Sequence, residues 1–433
     1  MMVRVIGAGL SGCEAAWALA QRGIEVELYE MKPYKKSPAH KSDNLAELVC
    51  SNSLKASRLN SAAGLLKEEM RLLGSLIMEC AEKTQVGAGG AMAVDRDAFS
   101  LLVTEKIESH PLIHLKREEV TEIDGDVPTI IATGPLSSDG ISSEISRLTN
   151  DEGLSFYDAA APIVEFSSID MDKAFWAARY DRGEADYINC PFNKDEYELF
   201  YNELINAEKA QLHEFDKINV YEGCMPIEIL ASRGKDSMRY GPLKPVGLTD
   251  PRTGRRPWAC VQLRAENREK TLFNIVGFQT NLKFPEQKRV FSMIPGLKNS
   301  VFVRYGVMHR NTFINSPIVT GERLTLKDNK NIKFAGQITG VEGYLESSLT
   351  GIVAGIDFYC RMEGKNIIDF PITSMTGALL KHTKDTTSKN YQPQGAAMGL
   401  LPPLEEKIKD KQERYEIIAQ RAVRDFKEAI KGI

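Results

Sequence analysis

Paired cysteines are missing from this sequence. Cys13, Cys50, Cys80, Cys190, Cys224, Cys260 and Cys360 are scattered over 433 residues, and no two form a CxxC. An odd, scattered set argues against a disulfide framework and against zinc, and points to a reducing compartment. Long apolar runs are missing too. None approaches the ~20 residues that span a bilayer, and no basic leader or cleavage site precedes the first apolar strand. These absences predict a cytoplasmic protein with no membrane association and no metal. Excess positive charge is also absent: the formal net charge is −4. A nucleic-acid partner would have to be met by a local basic patch. There are no repeats or low-complexity tracts. A chain this long with ordinary globular composition is expected to form two domains.

What is present is concentrated at residues 3–30. A short apolar strand runs into Gly7-Ala8-Gly9-Leu10-Ser11-Gly12, an Ala-rich helix follows, and a second strand ends in Glu30. Each part suits a dinucleotide. Gly7 permits the tight strand-to-helix turn, Gly9 lets a pyrophosphate approach the backbone, and Gly12 lets helix and strand pack closely. The helix N-terminus offers free N–H groups and partial positive charge to phosphates. Glu30 lies 18 residues after Gly12, where a ribose-binding carboxylate is expected.

Further along, residues 31–62 read as a long polar loop, of the kind that is usually functional. Residues 64–83 carry apolar positions at helical spacing. Asp95 caps an expected helix to Ile107, and residues 127–131 read as a strand. From about 160 to 315 the chain turns richer in Tyr, Phe and Pro, and βαβ signals fade. Residues 332–344 repeat the strand-then-glycine pattern ahead of a small-residue helix at 346–362, and 404–430 reads as an amphipathic packing helix. The fold class is therefore α/β: a Rossmann-like dinucleotide-binding domain in two parts, 1–160 and 316–433, with a smaller α+β domain inserted at 161–315.

Two thiols have promising surroundings. Cys50 precedes Ser51, Asn52 and Ser53, good N-cap residues for an expected helix at 53–59, and a helix N-terminus favours the thiolate. Cys224 sits between Gly223 and Met225-Pro226, a turn-like setting. Its acidic neighbours Glu222 and Glu228 call for a counter-charge, which Arg233, Lys235 or Arg239 could supply. Two stretches are basic: Lys32, Lys35, Lys36 and Lys41, and Arg233, Lys235, Arg239, Lys244, Arg252, Arg255 and Arg256. The second is preferred for RNA because Tyr240 and Trp258 interleave with its charges.

The sequence closely resembles one family along nearly its whole length, the folate- and FAD-dependent tRNA (uracil-5-)-methyltransferases (TrmFO). The matching stretches are 7–12 (GAGLSG), 47–54 (ELVCSNSL), 64–70 (GLLKEEM), 89–96 (GGAMAVDR), 132–136 (ATGPL), 221–228 (YEGCMPIE) and 334–344 (FAGQITGVEGY). The cysteine-bearing stretches are the specific ones. Ser11 stands where the family often has Ala.

The resemblance implies FAD as the dinucleotide, methylenetetrahydrofolate as carbon donor, NADPH or NADH as external reductant, and the T-loop uridine of tRNA (position 54) as acceptor. It implies Cys224 as the nucleophile at uracil C6. Cys50 would be either the base that removes the C5 proton or the partner in a flavin-linked adduct. By the same resemblance Tyr344 stacks near flavin or uracil, Gly336 and Gln337 touch the flavin edge or the pyrophosphate, and Glu342 contacts folate. Arg255 and Arg256 contact RNA, and no obligate protein partner is expected. Two other readings stay open: the same chemistry on ribosomal RNA, and an FAD-dependent oxidoreductase acting on a small molecule.

Overall fold

Strand Met2–Ile6 alternates apolar residues that are almost wholly buried, and it lies at the middle of a parallel sheet. The order across that sheet is Ile332–Phe334, Thr129–Ile131, Met2–Ile6, Glu25–Tyr29, Ile113–Lys116, and every pairing is parallel. This is the α/β, Rossmann-like half of the fold. The chain is described here by a computed structural model covering residues 2–37, 39–150, 154–181, 184–210, 225–385, 391–406 and 408–432. Cys224 and Glu222 lie outside these described residues.

One face of the sheet is covered by two helices in close contact, Leu10–Ala20 and Tyr344–Met362. Small residues permit this. A Cβ on Gly351 would stand 2.0 Å from the Ser11 carbonyl oxygen, and one on Gly355 2.8 Å from that of Ala15.

The second sheet is antiparallel, in the order Phe175–Ala177, Tyr187–Phe192, Ala259–Ala265, Leu272–Ile275, Ile163–Glu165, Phe302–Arg304. Helices Lys194–Asn206, Ile227–Ser232 and Phe284–Phe291 supply its core with Phe200, Ile227 and Phe291, which join Phe192 and Phe273 from the strands.

Three local expectations need correction. The helix expected at 64–83 is two, Ala62–Leu72 and Leu76–Lys83. Gly74 at φ +78° breaks it, and Ser75 caps the second through the Met78 N–H. The helix expected at 53–59 is a strand, Ser53–Ala56, because residues 53 and 56 pair with Ala93 and Ala91. Sheet pairing there outweighs a local cap signal. The C-terminal helix begins at Lys411, not 404, capped by Asp410; its Ile418, Ala419, Ala422 and Phe426 are buried, as a packing role requires.

The two parts of the Rossmann-like half are joined by a buried carboxylate. Glu69 accepts from the Met375 N–H (2.8 Å), the Thr376 N–H (2.8 Å) and the Thr376 hydroxyl (2.6 Å), closing the start of helix Met375–His382. Glu69→Ala leaves two buried N–H donors unpaired, at about 1–3 kcal/mol each. The expected result is a lower urea midpoint with an unchanged m-value; an unmoved midpoint would show that water takes the donors over.

Candidate active site

The nucleotide cleft is built from backbone first. The strand Met2–Ile6 ends in Gly7 at φ +95°, a conformation that glycine adopts without strain. Gly9 is the N-cap of Leu10–Ala20, and no side chain caps that helix. Its first-turn N–H groups therefore face the cleft free of intrahelical partners. A Cβ on Gly9 would meet nothing within 4 Å, whereas one on Gly12 would stand 1.7 Å from the Gly7 oxygen. Ala8 and Leu10 complete this wall. Glu30 is buried at its edge, with one oxygen on the Ala8 N–H (3.1 Å) and the other on the Lys32 N–H (3.0 Å). The buried Ser11 hydroxyl has no hydrogen-bond partner among the described residues.

The opposite walls are Ala132–Pro135 and, from the second strand–glycine–helix turn, Gly336, Gln337, Tyr344 and Ser347. An uncapped helix start, an open glycine, an acid at the second strand and an unpartnered hydroxyl fit a dinucleotide. Glu342 does not line the cleft. It is buried and its carboxylate accepts from the Gln337 amide at 2.6 Å, so it positions Gln337.

Tyr344 joins this cleft to the Cys50 loop. Its ring lines the cleft, and its hydroxyl accepts from the Cys50 N–H (2.8 Å) and the Ser51 N–H (3.1 Å). Burial, then the nearby Cys50 sulfur, pushes the Tyr344 phenol well above its ordinary range, so it stays protonated.

Three arginines hold the loop from outside. Arg96 donates to the Leu48 carbonyl (2.6 Å) and the Cys50 carbonyl (3.4 Å). Arg264 donates to Asn52 Oδ1 (3.0 Å) and Ser51 Oγ (2.9 Å), and Arg304 donates to the Val49 carbonyl. Asn52 in turn donates to the Val94 and Ala265 carbonyls. The only carboxylate among these contacts is Glu266, paired with Arg96.

For Arg264 and Arg304 the reason for this convergence is register. Tyr187 pairs with Arg264, Arg264 with Asn274, Asn274 with Ile163, and Ile163 with Arg304. Residues paired across strands share a face, so one row of side chains from the second sheet lies over the loop. No helix starts at Cys50; guanidinium groups surround it instead. Such a setting suits negative charge that develops during a reaction.

A cavity of about 360 Å³ opens beside Cys50, lined also by Arg264, Asn274, Gln279, Met225 and Pro242. The segment through Pro242 continues into a larger groove of about 1180 Å³, where the second basic stretch gathers: Arg239, Lys244, Arg252, Arg255 and Arg256, with Tyr240 and Trp258. Arg239 stacks 3.8 Å over the Trp258 ring, and Arg252 forks onto Asp250. No ion pair holds Lys244, Arg255 or Arg256 among the described residues, and Tyr240 is 81% exposed. In the other basic stretch three lysines are held internally: Lys32 lies beside Glu47, Lys35 pairs with Glu119, and Lys36 with Asp43, while Lys41 is exposed. Of the charges expected to face Cys224, Lys235 pairs with Glu198. Glu228 is buried on Thr280 and Asn281.

Comparison with known proteins follows the same lines. The family model GIDA, described as Glucose inhibited division protein A, matches residues 2–366. An Acetivibrio thermocellus protein named Methylenetetrahydrofolate--tRNA-(uracil-5-)-methyltransferase TrmFO is 56% identical over 428 residues, 99% of this chain and 98% of that one. A Listeria monocytogenes protein of the same name is 55% identical over 425 residues, 98% of each chain. Among solved structures, Aquifex aeolicus GidA superposes with a TM-score of 0.70 at 17% identity, covering 99% of this chain and 73% of that one. At that identity the likeness shows the fold.

Proposed function

We infer the activity from one premise: this chain belongs to the GidA family and, within it, to the methylenetetrahydrofolate--tRNA-(uracil-5-)-methyltransferases TrmFO. It methylates C5 of uridine in tRNA, with the carbon of methylenetetrahydrofolate. The observation that carries the reading is Tyr344, which lines the nucleotide cleft and holds the Cys50 N–H at 2.8 Å. This contact supports a reading in which the redox cofactor and the thiol are neighbours.

The finer assignments are these. The dinucleotide is FAD, held by the Gly7–Gly12 turn, Glu30, Gly336 and Gln337. Bound and reduced by NADPH or NADH, it supplies the two electrons that take a carbon from the formaldehyde level to methyl. The Cys224 thiolate forms an S–C6 bond, and the displaced electron pair moves through C5 toward the C4 oxygen. C5 then bonds to the donor's methylene carbon. Cys50 removes the C5 proton, and the bond from that carbon to the donor nitrogen breaks, the electron pair going to nitrogen and an exocyclic methylene remaining on C5. The two electrons and a proton add to this methylene as a hydride equivalent, and the S–C6 bond breaks, returning the thiolate and the C5–C6 double bond of 5-methyluracil. Met225, one peptide bond from Cys224, lines the same cavity as Cys50, which supports the pairing of the two thiols. The FAD-binding parts are 1–160 and 316–433 and the RNA-facing part is 161–315, a division supported by the membership of the two sheets. The target is the T-loop uridine, and no other protein is required.

The test is the purified, FAD-loaded protein with methylenetetrahydrofolate, NADPH or NADH, and unmodified tRNA transcript. The expected product is 5-methyluridine at position 54. Methylation of 23S rRNA alone, or flavin turnover without carbon transfer, would overturn the assignment.

RNA enters by the groove. Removing one cation that neutralises a phosphate should reduce the slope of log K against log salt by about 1. The double charge reversal Arg255→Glu, Arg256→Glu should flatten the slope of tRNA binding by about 2 and leave flavin content unchanged. A parallel line would take this groove out of the RNA path.

A further inference from the structure

One wall of the Cys50 cavity carries chemistry that the reaction scheme has not used. Asn274 lies on strand Leu272–Ile275, in the row of side chains that faces the Cys50 loop. It is 3% exposed, lines the cavity, and its Nδ2 has no hydrogen-bond partner among the described residues. Leaving a buried amide donor unpartnered is costly, and such groups mark places where a ligand completes the bonding. Its cross-strand neighbour is committed elsewhere: Arg264 is held by Asn52 and Ser51.

A carboxamide presents one donor and one acceptor in a single plane. Its complement is a ring N–H beside a carbonyl. Uracil has that edge at N3 and C4, and the pterin of a folate carries the same edge. Cytosine has an acceptor at N3 and an amino donor at C4 instead. The cavity also suits a small planar ring, since about 360 Å³ falls within the ~300–1,000 Å³ of small-molecule pockets. Cys50 lines it, and in the proposed reaction Cys50 works on the base, which favours uracil over pterin.

We propose that Asn274 reads the target base: Nδ2 donates to the C4 oxygen of uracil and Oδ1 accepts from N3–H. This rests on the methyltransferase reading above. Charge gathers on the C4 oxygen when the thiolate adds at C6, so the Nδ2 bond strengthens as the reaction proceeds. Asn274 thus selects uridine over cytidine and stabilises the same oxygen during addition.

The experiment compares FAD-loaded wild type, Asn274→Ala and the isosteric Asn274→Asp on tRNA transcripts with uridine or cytidine at the target position. Flavin content and the visible flavin spectrum report an intact cleft. For Asn274→Ala, kcat/KM on uridine tRNA should fall about 10²–10³-fold, the usual loss for one oxyanion donor, while the KM for methylenetetrahydrofolate stays within twofold. Asn274→Asp has two acceptors and no donor. It should lose uridine activity to a similar extent and bind cytidine tRNA more tightly relative to uridine tRNA than wild type does. Should Asn274→Ala fail to load flavin, Asn274→Asp alone carries the test. Uridine activity retained within threefold overturns the proposal, and so does a loss confined to the folate KM, which assigns the amide to the pterin. A wild type that methylates neither transcript would instead bring down the methyltransferase reading.

Discussion

Gly12→Ala is expected to yield a colourless protein of reduced stability, while Gly9→Ala folds normally and binds flavin weakly. The two glycines stand three residues apart in one turn, and a methyl group does opposite things at each. At Gly12 the new Cβ would stand 1.7 Å from the Gly7 oxygen and 2.9 Å from its carbonyl carbon. Backbone cannot rotate away as a side chain can, so the helix Leu10–Ala20 has to move. It has nowhere to go. Gly351 and Gly355 of the helix behind it already approach the Ser11 and Ala15 carbonyls so closely that a Cβ there would overlap them. Overpacking a tight core costs about 1–3 kcal/mol, and the displacement carries away the N–H groups on which the phosphates sit. At Gly9 nothing lies within 4 Å and φ is −73°, so alanine fits the apoprotein and projects only into the cleft. Thermal unfolding of the apoproteins and visible absorbance after incubation with FAD separate the two. A yellow Gly12→Ala protein with unchanged Tm would mean that the turn tolerates a shift the packing forbids.

The same contrast explains what the sequence could and could not disclose. The Gly7–Gly12 turn, Glu30 and the Asp95 cap are local devices whose parts are separated by few residues, and local pattern is enough to find them. The basic groove proposed for RNA is similar, because its charges and rings lie close together in sequence, between residues 239 and 258. The Cys50 site is different. Arg264 bonds Asn52 across 212 residues and Arg304 bonds Val49 across 255; neither has any local feature that marks it. Their common direction comes from strand register in a sheet whose face meets a loop from the other half of the fold. Arg96 was within reach, since it ends the 89–96 stretch shared with the family, yet only the folded geometry shows it holding Leu48 and Cys50. The misread helix at 53–59 has the same origin. Ser51 and Ser53 do bond to nearby backbone, Ser51 Oγ taking the Ser53 N–H at 3.1 Å and Ser53 Oγ the Lys55 N–H at 3.2 Å. Such bonds serve turns as well as helix starts, and pairing with Ala91–Val94 decided between them.

Replacing either thiol should cut product formation steeply, and a covalent intermediate separates their roles. In the proposed reaction Cys224 bonds to C6 and Cys50 acts only afterwards, on the proton at C5. A 5-fluorouridine tRNA has no such proton, so addition can occur but release cannot. Cys224→Ala should therefore form no covalent enzyme–RNA adduct with it. Cys50→Ala should form the adduct, while its turnover on ordinary tRNA falls by about 10²–10⁴, the usual contribution of a positioned base. Loss of the nucleophile should be the deeper defect, since without the S–C6 bond C5 has no electron density to attack with. Neither change should empty the nucleotide cleft: the bond from the residue 50 N–H to Tyr344 is a backbone bond and survives both. Denaturing electrophoresis of enzyme with labelled 5-fluorouridine tRNA reads the adduct, and visible absorbance reads the flavin. An adduct that persists in Cys224→Ala and vanishes in Cys50→Ala would exchange the two roles. The arginines and Tyr344 would then hold the attacking sulfur itself beside the flavin cleft.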